Sequence, residues 1–183
     1  LPPTIDHEPI PAEMSKAQSA FYAITVNKLR EIYNRLPDQN MFNDLRKAIV
    51  RIIELSVDPY NVAKKLKANP NSDKLSQYIS ENKIIENSLN KLIDEGPVSN
   101  KMKTALEKAI EIANSGEKVI IWSYFINSLD TMNTELENNY GIKPLVLKGG
   151  VDDDYVINTF NEKNNRLILL ANPEKGAEGI SLH

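Results

Sequence analysis

Three short apolar runs in the last third of the chain constrain its fold most. They lie at residues 119–122, 144–147 and 167–170, and segments with helical apolar spacing separate them at 127–139 and 152–161. Alternation of short apolar runs with amphipathic helices is typical of consecutive βα units that feed a parallel sheet. Because the run at 119–122 is apolar without interruption, we expect that strand to be buried on both faces.

Polar or glycine-bearing segments follow each of the three runs. Ser123-Tyr-Phe125 follows the first, Lys148-Gly-Gly150 the second, and a segment from Asn172 that contains Gly176 and Gly179 the third. Open α/β sheets bind ligands beyond the carboxyl ends of their strands, so these segments are the candidate site. The two glycines permit close backbone approach to a phosphate, but as an isolated motif they favour a structural turn.

The rest of the chain predicts helices and carries no catalytic motif. Four prolines punctuate residues 1–14, which indicates an extended connector. Apolar spacing predicts helices within 15–97, including one at 41–57 and one at 73–94. We therefore divide the chain into a connector at 1–14, a helical region at 15–97 and an α/β region at 98–183.

Capping residues mark where several of these helices begin. Ser15 and Gln18 have the spacing of a capping box, in which each side chain binds the other residue's backbone N–H. Asp58 is placed as an N-cap with Pro59 at the first helical position. Ser99 is placed to cap the helix that precedes the first apolar run. At the other end of a helix, Gly141 is placed to terminate the helical segment at 127–139.

Composition excludes several classes of function. The 183 residues are 41% hydrophobic, with a net charge of −3 and a pI near 5.5, which argues against a dedicated high-affinity nucleic-acid binder. With no cysteine there is no disulfide or Cys-based zinc site, which fits a cytoplasmic protein. No apolar run approaches bilayer length. His7 and His183 are the only histidines, which argues against Ser-His-Asp chemistry.

Two charged runs favour structural interpretations. The Asp152-Asp-Asp154 triplet resembles a metal site, but consecutive helical residues point about 100° apart and do not converge on one ion. Acids at a helix N-terminus are stabilised by the helix dipole, so capping is the better interpretation. Lys64, Lys65 and Lys67 are interpreted as a solvated helix face rather than a phosphate contact.

The order of these segments resembles the second RecA-like lobe of the Swi/Snf-like DNA-translocating ATPases of helicase superfamily two. The resemblance covers essentially the whole chain. It rests on Leu1-Pro-Pro3, Leu45-Arg46 through Asp58-Pro59, Gly116 through Phe125, Leu147-Lys-Gly-Gly150, Leu169-Leu-Ala-Asn-Pro173 and Glu178-Gly-Ile-Ser-Leu-His183. The last two strings resemble a prokaryotic branch of the family.

The resemblance implies a fold and a domain order. We expect an α/β chain with a partial RecA-like parallel sheet of about three strands with flanking helices, preceded by a mainly α-helical region. Residues 1–14 would connect two motor lobes, and 98–183 would be a truncated C-terminal lobe. We therefore expect the chain to be a fragment of a longer motor protein.

The resemblance also implies residues that contact double-stranded DNA through its backbone. Trp122-Ser-Tyr-Phe125 is similar to a motif that lies along a DNA strand, with Tyr124 in place of the usual Gln. Lys148-Gly149 matches the turn after the second strand, and Asn172 with Lys175 matches the start of a loop that bridges DNA and nucleotide. The predicted DNA-binding residues are Ser123, Tyr124, Lys148, Gly149, Asn172 and Lys175.

Nucleotide coupling is implied for Glu178, Gly179 and Ser181 at the far end of the same loop. The longer protein would bind ATP and magnesium with the first RecA-like lobe of the same chain as partner. The resemblance places the phosphate-binding Gly-Lys-Thr loop and the metal-binding Asp-Glu motif in the first lobe, and the finger arginine after the strand that would follow His183, so all three are expected outside this chain. Because phosphoryl transfer depends on those groups, we expect the fragment alone to bind no cofactor and to be inactive.

Two further expectations concern partners, and two alternative functions compete with the motor interpretation. We expect no membrane association, and we expect homo-association through an exposed sheet edge, since uncovered edges template strand pairing. One alternative is a non-enzymatic helical interaction module with a small Rossmann-like appendage. Another is a lobe of a nucleotide-sugar enzyme. The motor interpretation requires a Gly-Lys-Thr/Ser loop and an Asp-Glu motif upstream, and a Gln/Arg-rich motif downstream, in the parent gene.

Overall fold

The computed structural model describes residues 5–34, 41–72, 74–162 and 167–176, apart from the side chains of 32, 33, 41–44, 74 and 176. A helical region precedes an α/β region, in agreement with the predicted order. The elements are α1 (Lys16–Asn34), α2 (Met41–Val57), α3 (Pro59–Ala68), α4 (Lys74–Glu81), α5 (Lys83–Asp94), α6 (Asn100–Asn114), β1 (Val119–Trp122), α7 (Ile126–Tyr140), β2 (Leu145–Leu147), α8 (Asp153–Glu162), β3 (Ile168–Ala171) and α9 (Pro173–Gly176).

Helices α1 to α5 pack around their own apolar core. Phe21 of α1 and Leu55 of α2 are completely buried, and Leu89 and Leu92 of α5 close the same cluster. Lys64, Lys65 and Lys67 lie on the outside of this region and are exposed, as expected of a solvated helix face. The region therefore has the buried stripes and charged exterior that its sequence periodicity predicts.

The prediction of one helix over 73–94 is wrong. Asn82 interrupts it, and α4 and α5 are separate helices. The Asn82 side-chain oxygen accepts hydrogen bonds from the backbone N–H groups of Ile84 at 3.1 Å and Ile85 at 3.4 Å. Asparagine competes in this way with continued helical hydrogen bonding, so a new helix begins where the apolar stripe alone indicates continuity.

The predicted capping box at the start of α1 forms only in part. The Ser15 hydroxyl accepts a hydrogen bond from the Gln18 backbone N–H at 3.0 Å. The Gln18 amide does not return to Ser15 but donates to the Leu55 carbonyl at 2.9 Å. Gln18 is 3% exposed, so a tertiary bond at the end of α2 replaces the local one.

Two other predicted caps are confirmed. The Asp58 carboxylate accepts from the Asn61 backbone N–H at 3.0 Å, and Pro59 is the first residue of α3. The Ser99 hydroxyl accepts from the Met102 backbone N–H at 3.2 Å at the start of α6. Each cap satisfies one of the N–H groups that the first helical turn leaves unpaired.

The three strands form a parallel sheet in the order β1-β3-β2. Strand β3 is in the centre, and all four of its residues are buried. They alternate between two layers: Ile168 and Leu170 pack with α6 and α7, whereas Leu169 and Ala171 pack with α8. This period of two places helices on both faces of the sheet and confirms the α/β fold class.

The expectation that residues 119–122 are buried on both faces is wrong. Three residues of β1 are half-buried, and Trp122 is 47% exposed. Within the described residues β1 pairs only with β3, so one of its edges lies open beside α6 and residues 10–14. A continuous apolar run marks a strand in a covered sheet, but it does not indicate which strand is central.

Helix α7 ends as the sequence predicts. Gly141 adopts a left-handed conformation with φ of 65°, and its backbone N–H donates to the Leu136 carbonyl. Glycine reaches this conformation without the strain that a Cβ atom imposes. Among the helices that the structure describes, none has the length and apolar character needed to cross a bilayer.

Candidate functional site

The three strands end in one row at the same edge of the sheet. Trp122 and Leu147 both pair with Ala171, the last residue of β3. Ser123, Lys148 and Asn172 therefore begin three adjacent loops. The six residues that were predicted to contact DNA lie in these segments, and Lys175 lies in the short helix α9 that follows Asn172. We call the three segments the carboxyl-edge loops (123–125, 148–150 and 172–175).

Asn172 connects the three loops and is 4% exposed. Its side-chain amide donates to the carbonyls of Ser123 and Tyr124, both at 3.3 Å. Its backbone N–H donates to the Leu147 carbonyl at 2.9 Å, and its side-chain oxygen accepts from the Glu174 N–H at 2.9 Å. Both ends of the side chain are engaged inside the protein, so Asn172 shapes the loops.

Ser123 is also buried and turned inward. Its hydroxyl accepts from the Phe125 backbone N–H at 3.2 Å and donates to the Phe125 carbonyl at 3.4 Å. Its own N–H continues the ladder by donating to the Ala171 carbonyl at 3.0 Å. The hydroxyl thus helps to turn the chain from β1 into α7.

Tyr124, by contrast, points outward and is 72% exposed. Trp122 and Ile126, two residues to either side, are each 47% exposed. The motif resemblance identified Trp122 and Tyr124, but Ile126 was missed. In the structure these three exposed side chains alternate with buried Ser123 and half-buried Phe125.

The two predicted lysines of the loops are paired with carboxylates. Lys148 forms an ion pair with Asp130 of α7, and the Lys175 ammonium lies 3.0 Å from Asp153 of α8. The lysine side chains are 27% and 33% exposed. Pairs this exposed stabilise a protein by roughly 1 kcal/mol or less, so an incoming phosphate competes with them at small cost.

Gly149 and Gly150 form the tip of the second loop. A Cβ atom at Gly149 would meet nothing within 4 Å, whereas Gly150 has φ of +83°. The turn therefore requires glycine only at Gly150. At Gly149 the absence of a side chain leaves the backbone open to a ligand.

The acidic triplet caps α8, as predicted. The Asp152 carboxylate accepts from the Tyr155 backbone N–H at 3.1 Å, and Asp153 pairs with Lys175. Within residues 5–34, 41–72, 74–162 and 167–176, no three histidine or acidic side chains are grouped to hold a metal ion. Asp153 therefore belongs to the site as the partner of Lys175, a role that the sequence did not indicate.

The nucleotide-coupling residues Glu178, Gly179 and Ser181 lie outside the described residues, and so does His183. Their predicted roles stay predictions.

Comparisons with known proteins identify solved structures of similar fold. No family model and no curated protein matches the sequence. Among solved structures, the Sulfolobus solfataricus SWI2/SNF2 ATPase C-terminal domain matches 88% of the chain with a TM-score of 0.62 and 13% identity. The C-terminal part of the Fun30 ATPase domain matches 93% with a TM-score of 0.54 and 20% identity.

The chain has the fold of a SWI2/SNF2 ATPase C-terminal domain. The match confirms the RecA-like lobe that the sequence motifs predicted. At these identities it establishes the fold alone, and the prokaryotic branch stays a prediction. The chain spans 60% of the Sulfolobus structure and 70% of the Fun30 structure.

Proposed function

We propose that the chain is part of an ATP-dependent DNA translocase and contributes the DNA-backbone contacts of its second motor lobe. The SWI2/SNF2 C-terminal fold supports a helicase-like motor fragment. The observation that carries the proposal is that Lys148, Lys175 and an open glycine backbone all lie at the carboxyl edge of a parallel sheet. Ligands of open α/β sheets bind at this edge.

The residues of the carboxyl-edge loops have different roles in this proposal. Lys148 and Lys175 supply ammonium groups to phosphates, while Gly149 lets the sugar-phosphate backbone approach closely. Tyr124 supplies an exposed ring and hydroxyl beside them. Ser123 and Asn172 act by holding the loops, because their polar groups are engaged with neighbouring backbone.

Charge determines how strong this contact is. Each neutralised phosphate releases condensed counterions, and a backbone contact of this kind carries no sequence preference. Because the chain has a net charge of −3, long-range repulsion opposes the local attraction of the two lysines. We therefore expect weak, salt-sensitive binding by the chain alone and stronger binding in the longer protein, where a second lobe adds contacts.

ATP and magnesium belong to the longer protein in this proposal. The sequence has no Gly-Lys-Thr/Ser loop to hold phosphates, and the described acids form no group for a metal. We propose that the first lobe holds the nucleotide and that Glu178, Gly179 and Ser181 respond to it. ATP binding and hydrolysis would close and open the two lobes and move the protein along duplex DNA.

A binding comparison between two double variants tests the proposal. Lys148→Ala/Lys175→Ala removes both loop lysines, whereas Lys103→Ala/Lys108→Ala removes two lysines of α6 that also pair with glutamates. Both variants change the net charge equally. Fluorescence anisotropy with labelled duplex DNA should show weaker binding for the loop variant only. Equal losses of DNA affinity in both variants would show that binding depends on net charge alone, which would contradict the proposal.

A helical interaction module is the second candidate, favoured by one surface of α2. Ile49, Val50 and Ile53 are each about half exposed at 48%, 47% and 51%. Exposed apolar side chains that adjoin one another mark protein contacts. This candidate predicts that neither double variant changes DNA affinity, whereas Ile49→Ser/Ile53→Ser removes binding to a protein partner without loss of helical circular dichroism.

A further inference from the structure

A buried carboxylate joins the helical region to the α/β region. Asp58, between α2 and α3, is 0% exposed. Besides its bond to the Asn61 N–H, its second oxygen accepts from the Asn61 side chain at 2.6 Å and from the Ser128 hydroxyl at 3.1 Å. Ser128 lies on α7, is 0% exposed, and is 70 residues away in sequence.

A second polar bond crosses the same boundary. The Ser99 hydroxyl, which caps α6, also donates to the Val57 carbonyl at 2.6 Å. Val57 is the last residue of α2, and its side chain packs against the core of the α/β region. The end of α2 is therefore bound to the starts of both α6 and α7.

Local capping does not account for the burial of Asp58. An N-cap carboxylate functions equally well at a solvated helix end, where its charge keeps its hydration. Here, among the ion pairs of the described residues, none involves Asp58, and its hydrogen bonds are the compensation that the structure shows. Such an arrangement tolerates little displacement, because a lost donor leaves a buried charge unsatisfied.

The bond acts on the segment next to the candidate site. Ser128 is in the first turn of α7, and its backbone N–H donates to the Phe125 carbonyl at 3.0 Å. Phe125 is the N-cap of α7 and makes no side-chain capping bond. The Ser128–Asp58 bond therefore holds the first turn of α7, and the loop 123–125 directly precedes that turn.

We propose that Asp58 is a positioning residue that, through Ser128, fixes the first turn of α7 and the loop 123–125 relative to the helical region. The orientation of the helical region and the shape of the loop are then one coupled property of the molecule. This coupling goes beyond the DNA contact and holds whether or not the loop binds DNA.

Hydrogen exchange of Ser128→Ala tests the coupling on the intact chain. Loss of the bond should speed exchange of the 126–132 amides roughly 5- to 30-fold, the factor that corresponds to about 1 to 2 kcal/mol of local stability, while exchange of β3 stays unchanged. Thr134→Ala is the control, because Thr134 is on the same helix and its hydroxyl bonds the Asp130 carbonyl of that helix. The control should leave 126–132 unchanged.

Two further measurements separate positioning from general destabilisation. Trp122 is the only tryptophan and adjoins the loop, so Ser128→Ala should increase its quenching by acrylamide. Asp58→Asn should speed the same amides, and the double variant should add little to either single change. Unchanged exchange at 126–132 in Ser128→Ala, or additive effects in the double variant, would overturn the proposal. If Asp58→Asn does not fold, Ser128→Ala alone decides.

Discussion

Partly buried side chains at the helix starts and the buried Asn172 of the α/β region show two different uses of polar groups. In the helical region Asn82 and Ser15 bind backbone groups two or three residues away, at the start of their own helices. In the α/β region the Asn172 amide binds carbonyls 48 and 49 residues away. Local caps determine where helices begin, whereas long-range bonds determine how loops sit beside one another. The local bonds therefore contribute to the secondary structure, and the long-range bonds of Asn172 contribute to the shape of the candidate site.

The largest expected effect is that of removing the loop connection. Asn172→Ala leaves the buried Ser123 carbonyl and the part-buried Tyr124 carbonyl and Glu174 N–H without their partner, which costs about 3 kcal/mol of unfolding free energy. Asn139→Ala removes an exposed amide that bonds Glu135 on its own helix and should cost about 0.5 kcal/mol or less. Urea denaturation measures both. Equal costs would erase the distinction between the two uses of polar side chains.

A cap that also bridges the regions should cost more than a local one. Ser99→Ala removes both the α6 cap and the bond to the Val57 carbonyl, and we expect a loss of about 2 kcal/mol. Asn82→Ala removes only the α5 cap and should cost about 1 kcal/mol. The same denaturation series compares them. A larger loss for Asn82→Ala than for Ser99→Ala would contradict this order.

The adjacent glycines of the second loop differ in their expected contribution. Gly150 allows the backbone conformation of the turn, whereas Gly149 leaves its backbone accessible to a ligand. Gly150→Ala forces a Cβ into a left-handed conformation and should cost about 1 kcal/mol of stability. Gly149→Ala meets no neighbouring atom and should change stability by about 0.5 kcal/mol or less. If Gly149 admits a phosphate backbone, its variant should nonetheless lose DNA affinity. Unchanged affinity in anisotropy titrations would remove Gly149 from the interface.

Features of the fold that depend on residues close in sequence could be predicted from the sequence, whereas features that depend on residues far apart could not. The Asp58-Pro59 start of α3 and the Gly141 end of α7 follow from neighbouring residues, and both are confirmed. The order β1-β3-β2 is set by packing between distant segments, so the exposure of Trp122 did not follow from its apolar run. The Asp58–Ser128 bond has no local signal either. Motif resemblance brought the loop residues together, but only the structure distinguishes inward Asn172 from outward Tyr124.

The smallest effect concerns the open edge of β1. We expect weak homo-association there, because Val119–Trp122 carries no charge or proline to block pairing with a second copy. Sedimentation velocity should show a weight-average coefficient that rises with concentration, and Trp122→Lys should flatten that rise. A coefficient independent of concentration in the unmodified chain would count against association through this edge.

Salt dependence of DNA binding tests the central claim most directly, because it counts phosphate contacts. The slope of log K against log salt concentration changes by about 0.9 for each phosphate that a protein neutralises. If Lys148 and Lys175 each contact one phosphate, the double alanine variant should lose about 1.8 from the slope of the unmodified chain. The Lys103→Ala/Lys108→Ala control should keep the original slope. Parallel lines for all three proteins would show that the carboxyl-edge loops do not contact the DNA backbone.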